Sequence, residues 1–269
     1  MDSETLEIEF LGTGTSTGVP SIGCQCEVCR SHDPKDNRLR TSAIVRYKGV
    51  RILIDCGPDF RQQILRASSL ELDALLLTHI HYDHVAGMDD LRAYCMTDAF
   101  PVYARPEVNC QLRISMPYCF TDKLYPGVPL LDLIDIGPQP FMVRGVKVTP
   151  IPVMHGKMLI NGYRIGPLAY ITDCSYISPE EIEKLKGIPL LVINALRYQP
   201  HHSHMTVAEA LEVVRKVAPE RAYFIHMSHG IGLHAWAEAQ LPPNTHFAYD
   251  TLIVRTHTRG AHVDACSNE

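Results

Sequence analysis

The feature that most constrains this chain is an apolar run that ends in a dense group of metal-binding side chains. Ala74–Leu77 predicts a buried β-strand, and residues 78–84 follow it with the letters THIHYDH. Six consecutive residues of this segment contain four side chains that can bind a metal: His79, His81, Asp83 and His84. Imidazole suits zinc, iron and manganese, and a carboxylate adds a hard oxygen ligand. The pattern therefore predicts a metal site at the end of a strand rather than a polar loop with chance histidines.

Three more apolar strands of the sequence end in a potential ligand, at His155, Asp173 and His226. Because strand ends from one sheet edge meet at a common rim, we expect these residues to converge on the THIHYDH segment. The seven potential ligands are too many for one tetrahedral ion, so the sequence predicts two divalent ions that share a ligand. A carboxylate can bridge two cations and an imidazole cannot, which makes Asp173 the natural bridge.

The remaining pattern alternates apolar strands with amphipathic helices. Strands are expected at residues 6–11, 41–47, 50–56, 72–77, 101–104, 146–154, 163–172, 190–196 and 221–225, with two short strands flanking 249–251. Helices are expected at residues 59–67, 85–94, 106–114 and 206–217. Both halves run strands into strand–helix units, so we expect one α/β domain over residues 1–269, with two mixed sheets packed face to face and helices outside. The polar tail from about Thr258 is expected to be disordered.

The composition is typical of a globular protein and argues against a membrane protein or a general nucleic-acid binder. Hydrophobic residues make up 46% of the chain and charged residues 20%. The net charge of -5 does not provide the basic face that a nucleic-acid binder carries. No apolar stretch reaches the roughly 20 residues that span a bilayer, and residues 1–4 lack the basic and apolar regions of a signal peptide. We therefore expect a cytoplasmic protein without a membrane partner.

The order of the ligands over nearly the whole chain resembles that of the metallo-β-lactamase superfamily: THxHxDH, a lone His, a lone Asp and a final His. The resemblance implies an αββα sandwich that holds two divalent ions, manganese or zinc. It implies a first ion held by His79, His81 and His155. The second ion would be held by Asp83, His84 and His226, with Asp173 as the bridge. Diiron oxidoreductases of this fold carry an acidic residue at position 81, so the histidine here indicates hydrolysis.

A second potential metal site lies near the N-terminus. Cys24, Cys26 and Cys29 offer three thiolates within six residues, and a structural zinc ion takes four nitrogen or sulfur ligands. His229, three residues after His226, is the expected fourth ligand. The resulting Cys3His site would tie the N-terminal loop to the last strand of the core. The alternative is a reduced cysteine loop without a metal.

The N-terminal motifs narrow the resemblance. The glycine-containing loop of residues 12–20, GTGTSTGVP, is expected to let backbone segments approach closely. This loop and the following CxCxxC motif resemble the PhnP family, phosphodiesterases of the carbon–phosphorus lyase pathway. That resemblance implies a structural Cys3His zinc, a homodimer, and hydrolysis of a small cyclic or ribosyl phosphodiester, such as a phosphoribosyl cyclic phosphate. A hydroxide that bridges the two ions would be the nucleophile. PqqB-like proteins share a cysteine cluster but lack the full ligand set.

The candidate catalytic residues are Asp83 and His204. Thr206 and Glu209, just after His204, predict a capping box at the start of the 206–217 helix. The PhnP and tRNA-processing branches of the superfamily place a histidine in such a setting as general acid or phosphate clamp. His204 is therefore expected to protonate the leaving alkoxide. Weaker candidates for contact with the phosphate are Lys157, Arg197, His201 and His202.

The same metal core leaves three other functions open. A tRNA 3′-processing endonuclease is disfavoured by the acidic balance and by the lack of a long, glycine-rich, basic arm, so nucleic acid is not the expected partner. A thiolester or lactone hydrolase would use the metal core without a phosphate-specific acid. A zinc-stapled binding protein on a retired hydrolase scaffold is disfavoured by the complete ligand set. The leading prediction is a metal-dependent phosphodiesterase that acts on a small substrate.

Overall fold

The computed structural model of this protein describes residues 5–257 and the backbone of residues 265–266. Its strands are β1 (Thr5–Gly12), β2 (Ser42–Tyr47), β3 (Val50–Ile54), β4 (Ala74–Leu76), β5 (Phe100–Ala104), β6 (Leu131–Asp135), β7 (Phe141–Val143), β8 (Val146–His155), β9 (Met158–Ile165), β10 (Leu168–Ile171), β11 (Leu190–Asn194), β12 (Arg221–Ile225), β13 (Thr245–Phe247), β14 (Ile253–His257) and β15 (Ala265–Cys266). Within the described residues they form an eight-stranded sheet, β15-β14-β1-β2-β3-β4-β5-β6, and a seven-stranded sheet, β13-β12-β11-β10-β9-β8-β7.

The α-helices are short. They are α1 (Phe60–Arg66), α2 (Tyr82–Val85), α3 (Pro106–Ser115), α4 (Pro179–Leu185), α5 (Val207–Val217) and α6 (His234–Glu238). Turns of 3₁₀-helix lie at Val28–Arg30, Pro34–Asp36, Met88–Tyr94, Pro117–Cys119 and His229–Ile231. The longest of these helices, α5, has 11 residues, and no helix in the described part of the chain is long and apolar enough to cross a bilayer.

Three apolar clusters hold four layers together: two outer layers of helices and the two sheets between them. One cluster lies between the two sheets and includes Ile8, Val45, Tyr163 and Tyr170. A second packs α4, α5 and α6 against the outer face of the seven-stranded sheet. A third packs α1 and α3 against the outer face of the eight-stranded sheet. The architecture is the expected αββα sandwich, with the main core buried between the sheets.

The strands that carry the candidate ligands run in the same direction within each sheet. Strands β3, β4, β5 and β6 are parallel, and β10, β11 and β12 are parallel in the other sheet. Strand β8 shares the direction of β10 because β9 pairs antiparallel with both. The expectation of a single sheet edge was wrong. The ligands come from the carboxyl ends of strands in both sheets, and they meet because the sheets pack face to face.

The helix expected over residues 85–94 is interrupted. α2 ends at Val85, and a 3₁₀-helix begins at Met88. Between them the backbone bonds to another segment, since Cys56 N donates to the carbonyl of His84 and Gly87 N donates to the carbonyl of Cys56. A Cβ on Gly87 would lie 2.0 Å from the carbonyl oxygen of Gly57. The contacts with Cys56 and Gly57 take the place of helical hydrogen bonds around Gly87. A prediction from hydrophobic periodicity cannot detect such contacts, and it therefore gave one continuous helix over residues 85–94.

Two further expectations differ from the structure. The strand expected over residues 163–172 is split into β9 and β10 by a turn at Gly166, which has a positive φ of 51°. The adjoining Pro167 has no N–H to continue the ladder. In the tail, the two residues of β15, Ala265 and Cys266, pair antiparallel with Val254 and Ile253. The expected disorder is therefore wrong for Ala265 and Cys266. The rest of the tail, residues 258–264 and 267–269, lies outside the described residues.

Candidate metal centres

The first group of ligand atoms comes from both sheets. His79 and His81 follow β4, and His155 ends β8. The Nε2 atom of His79 lies 3.0 Å from Nδ1 of His81, and the His155 ring lies edge-on to both rings. One nitrogen of each ring comes within 4.8 Å of the other two. The structure thus brings together the three histidines that were expected to share one ion.

The second group combines two carboxylates with two imidazoles. Nε2 of His84 lies 3.2 Å from Oδ2 of Asp83 and 3.2 Å from Oδ1 of Asp173. Nε2 of His226 lies 3.1 Å from Oδ2 of Asp173. The same Asp173 oxygen is 3.9 Å from Nε2 of His79 in the first group. The carboxylate of Asp173 therefore faces both groups, which is the position that a bridging ligand needs.

Three of the histidines are oriented by a partner at Nδ1, which leaves Nε2 to face the centre. The partners are the Thr78 hydroxyl for His79 (2.9 Å), the Ser203 carbonyl for His155 (2.8 Å) and Asp55 Oδ2 for His84 (2.7 Å). Contacts of this kind fix the tautomer and the ring orientation of metal-binding histidines. The protein therefore sets the directions of these Nε2 atoms by itself.

Asp55 belongs to the centre although its sequence context did not single it out. It is fully buried and accepts hydrogen bonds from the backbone N and the hydroxyl of Thr78, both at 2.8 Å. Burial raises the pKa of Asp55 against the opposing positive charge of His84. Asp55 follows β3, and His79 follows the neighbouring strand β4. The rule that located the candidate ligands, a polar residue after an apolar strand, also selects Asp55, but it does not reveal the contacts of Asp55 with Thr78 and His84.

Three residues of the centre have left-handed backbone. Asp55, Asp173 and His226 have φ values of 60°, 55° and 58°. This conformation is unfavourable for residues with a Cβ and clusters at functional sites. In each case the residue stands at the end of a strand, where the chain must turn sharply. The unusual backbone points the side chain back toward the centre instead of continuing the pleat of the strand.

The chemistry of the centre fits divalent cations. In the centre, His84 Nε2, both ring nitrogens of His226 and His204 Nδ1 are buried and make no hydrogen bond, although carboxylate oxygens lie 3.1–3.2 Å from the Nε2 atoms of His84 and His226. An unpaired buried polar atom costs about 1–3 kcal/mol, and a cation can pair imidazole nitrogens and carboxylate oxygens together. Burial opposes protonation of His84, but the negative charges around it outweigh burial and hold its pKa well above the usual range. Positive charge is therefore favoured at this point, and the mixed nitrogen and oxygen set suits zinc or manganese.

The cysteine cluster also forms a compact set of ligand atoms. The Sγ atoms of Cys24, Cys26 and Cys29 lie 3.3, 3.2 and 3.4 Å from Nδ1 of His229. Zinc–sulfur and zinc–nitrogen bonds of about 2.3 and 2.0 Å place tetrahedral ligands roughly 3.5 Å apart. A backbone N–H from Cys29 is the largest effect that lowers the pKa of Cys26 to about 6, which favours the thiolate that binds metals. These four side chains could hold a closed zinc site.

His204 lies against both groups of candidate ligands. Its ring stacks on His226 with centroids 4.8 Å apart and lies 4.7 Å from the ring of His155. Its Nδ1 atom is 3.9 Å from Oδ2 of Asp173. Burial lowers the pKa of His204 to about 3. The ring of His201 lies 5.0 Å from it on the outer side, whereas His202 is exposed.

Lys157 and Arg197 are the two weaker cationic candidates for contact with the phosphate. Lys157 was a candidate because a strand that continued past His155 would place both side chains on one face, but the chain reverses at Gly156, which has a φ of 58°. Lys157 is exposed in this turn. Arg197 donates to the carbonyls of Gln199 and Pro200 at 3.2 and 3.0 Å. It thereby braces the loop that leads to the histidines at 201–204.

Comparison with known proteins identifies the family. Residues 50–227 match the model of the β-lactamase superfamily domain, and the fold and ligand order agree with its metallo-β-lactamase members. The chain belongs to the metallo-β-lactamase superfamily. The fold of this superfamily implies divalent metal ions.

Individual superfamily members extend this result. The chain is similar to a crystal structure described as a new diphosphatase from the PhnP family, with 36% identity, a TM-score of 0.88, and coverage of 94% of this chain and 97% of that one. This confirms the resemblance to the PhnP family. The chain is 33% identical to ribonuclease Z of Methanopyrus kandleri, over 95% of this chain and 99% of that protein.

A third relative is longer than this chain. Over 90% of its length the chain is 48% identical to an octanoyltransferase of Porphyromonas gingivalis, of which it covers 50%. The chain therefore spans about half of that relative.

Proposed function

We propose that this protein is a metal-dependent phosphodiesterase that hydrolyses a small cyclic or ribosyl phosphodiester. The two groups of ligands described above would hold two divalent ions, manganese or zinc, with Asp173 between them, and the cysteine cluster would hold a structural zinc. The observation that carries the proposal is the position of His204. It adds a buried imidazole to a complete ligand set, with an unpaired nitrogen 3.9 Å from the bridging carboxylate. The similarity to a PhnP-family diphosphatase supports phosphate chemistry.

The residues of the chain have distinct tasks in this reaction. When bound, the two ions supply a nucleophilic water at neutral pH and positive charge beside the non-bridging oxygens of the phosphate. Thr78, Asp55 and Ser203 hold the imidazole rings in place. His204 donates a proton to the leaving oxygen. Burial lowers the pKa of His204 to about 3 in the protein alone, so the ring must take up its proton in the substrate complex, where an anionic phosphate beside it favours the protonated form.

A substrate panel tests the reaction class. The protein is loaded with manganese, zinc, nickel or cobalt and assayed on bis-p-nitrophenyl phosphate, a thiolester, a lactone and a precursor tRNA. We expect turnover of the phosphodiester with at least one metal and its loss on chelation. Absence of phosphodiester hydrolysis with all four metals would overturn the proposal.

Replacement of His204 tests the proposed acid. We expect His204→Ala to lower turnover of the phosphodiester by roughly 10²–10⁴-fold while metal content stays at the wild-type value. His202→Ala is the matched control because His202 is an exposed histidine of the same loop, and it should retain activity. Wild-type turnover in His204→Ala would show that this residue is not the acid.

Two relatives support other substrates for the same centre. The octanoyltransferase that shares 48% identity with this chain is named for an acyl group, but the chain spans only half of it; the thiolester hydrolase is the second candidate. The similarity to ribonuclease Z keeps the tRNA nuclease open, although the net charge of -5 opposes it. Preference for the thiolester or for the precursor tRNA in the panel would establish one of these in place of the small phosphodiester.

A further inference from the structure

Asn194 is a fully buried residue at the end of β11. Strand β11 lies between β10, which leads to Asp173, and β12, which leads to His226. The carboxamide of Asn194 makes two hydrogen bonds to one residue. Its Oδ1 accepts from the backbone N of Cys174 at 2.7 Å, and its Nδ2 donates to the carbonyl of Cys174 at 3.0 Å. Because Cys174 directly follows Asp173, the amide holds the turn that presents the bridging carboxylate.

These two hydrogen bonds replace a ladder that has ended. The parallel register of β10 and β11 runs to the pair Ile171 and Ile193. Beyond that pair the chain turns, and Asp173 adopts a φ of 55°. A left-handed conformation is unfavourable for a residue with a Cβ, so neighbouring contacts must hold it. The side chain of Asn194 supplies one donor and one acceptor to the turn in the place where backbone groups would otherwise pair.

The same turn also supports the loop that carries His204. The carbonyl of Cys174 accepts a second hydrogen bond, from the backbone N of Met205 at 2.9 Å. The carbonyl of Met205 in turn accepts from the backbone N of Leu196, two residues after Asn194. The turn after β10 and the His204 loop are thus fixed to the end of β11. A change at Asn194 would reach both.

We propose that Asn194 is a positioning residue that fixes the Asp173 carboxylate between the two metal sites. The inference rests on the proposed function in that the centre binds divalent ions. Asn194 does not touch the centre itself, because both polar groups of its side chain are taken up by Cys174. The competing explanation is that Asn194 is a buried polar residue that contributes only to general stability. The two explanations differ in what they predict for metal affinity.

Asn109 provides a matched control. It is also a buried asparagine, and its Nδ2 donates to Oδ1 of Asp135 at 2.8 Å. It lies on α3, in the outer layer that packs on the eight-stranded sheet. Substitution of either asparagine removes a buried carboxamide and its hydrogen bonds. Only Asn194 is attached to the turn of Asp173.

The experiment compares Asn194→Ala and Asn194→Leu with Asn109→Ala and Asn109→Leu. Folding is followed by far-UV circular dichroism and thermal unfolding. Affinity for Zn²⁺ and Mn²⁺ is measured by competition with a chromophoric chelator, and the Co²⁺-loaded proteins are compared by their visible absorption. We expect folded Asn194 variants whose affinity at the centre falls about 10–100-fold, with an altered cobalt spectrum. The Asn109 variants should lose stability but keep wild-type affinity and the wild-type spectrum.

The possible results separate this inference from the proposed function. Wild-type affinity and an unchanged cobalt spectrum in a folded Asn194 variant would overturn the positioning role. Failure of both Asn194 variants to fold would also overturn it, since Asn194 would then be a general structural residue. A wild-type protein that binds metal but does not hydrolyse the phosphodiester would overturn the proposed function and leave the affinity comparison valid.

Discussion

At the scale of single residues, the centre depends on side chains that never face a substrate. His84 points its Nε2 atom at two carboxylates because Asp55 holds its Nδ1 atom at 2.7 Å. Asp55 in turn is fixed by two hydrogen bonds from Thr78, the residue next to His79. The buried carboxylate of Asp55 therefore orients His84, which belongs to the second group. It also holds Thr78, which directly precedes His79 of the first group.

This arrangement leads to a prediction for Asp55→Asn. The amide preserves the size of the side chain and can still accept from Thr78, but it removes the negative charge that faces His84. We expect the affinity of the centre for Zn²⁺ or Mn²⁺ to fall about 10–100-fold, measured by chelator competition. Asp59→Asn is the control, because the carboxylate of Asp59 pairs with Arg40 at 2.8 Å rather than with a candidate ligand. Equal affinities in the two variants would contradict the role of Asp55.

The sequence identified the seven candidate ligands that the structure brings together, but it did not identify the residues that support them. His79, Asp173 and His226 could be found because each follows an apolar strand and belongs to a residue type that binds metals. Asp55 and Asn194 also stand at strand ends, but an isolated Asp or Asn there is equally typical of a turn. Their roles depend on contacts with distant residues, Thr78 and Cys174, and no local pattern in the sequence encodes those contacts.

At the scale of elements, features that depend on neighbouring residues were predicted correctly from the sequence. The errors arose where an element depends on contacts with distant residues. The capping box at Thr206 was predicted from sequence and is present, with Thr206 accepting from the backbone N of Glu209 and the Glu209 carboxylate accepting from that of Thr206. Such a cap involves only neighbouring residues. The helix expected over residues 85–94 failed because Gly87 packs against Gly57, a contact that periodicity cannot reveal.

The cap of α5 gives a prediction because it lies two residues from His204. Thr206→Ala should reduce the free energy of unfolding by about 1 kcal/mol and also lower turnover, since the loop that holds His204 loses its anchor. Ser178→Ala removes the side-chain cap of α4, where Ser178 accepts from the backbone N of Glu181 at 3.4 Å. We expect the Ser178 variant to lose stability without losing activity, as measured by denaturant unfolding and steady-state assay. Unchanged turnover in Thr206→Ala would show that the cap does not position the loop.

At the scale of the whole molecule, the N-terminal segment joins distant parts of the chain around the last ligand. The backbone of Thr15 donates to the carbonyl of Met227 at 2.9 Å, and Met227 donates to the carbonyl of Thr13 at 3.0 Å. A Cβ on Gly14, between them, would lie 2.9 Å from Cβ of Arg38, so the expected close approach of the glycine loop is confirmed. Met227 directly follows His226. The N-terminal loop therefore packs beside the candidate ligand His226. The contacts of Cys24, Cys26 and Cys29 with His229 join the same two segments.

The proposed zinc site should therefore hold the N-terminal loop without taking part in the catalytic pair. We expect Cys26→Ser to lose one zinc per chain by elemental analysis while retaining the catalytic ions. Zinc binding stabilises the fold around its ligands, so the N-terminal loop should become less stable. Trypsin should then cleave faster at the exposed Arg30 and Lys35. His81→Ala is the control: it should weaken the catalytic metals yet keep the structural zinc and the wild-type cleavage rate. A Cys26→Ser protein with full zinc content and unchanged proteolysis would mean that the thiol cluster is a reduced loop rather than a metal site.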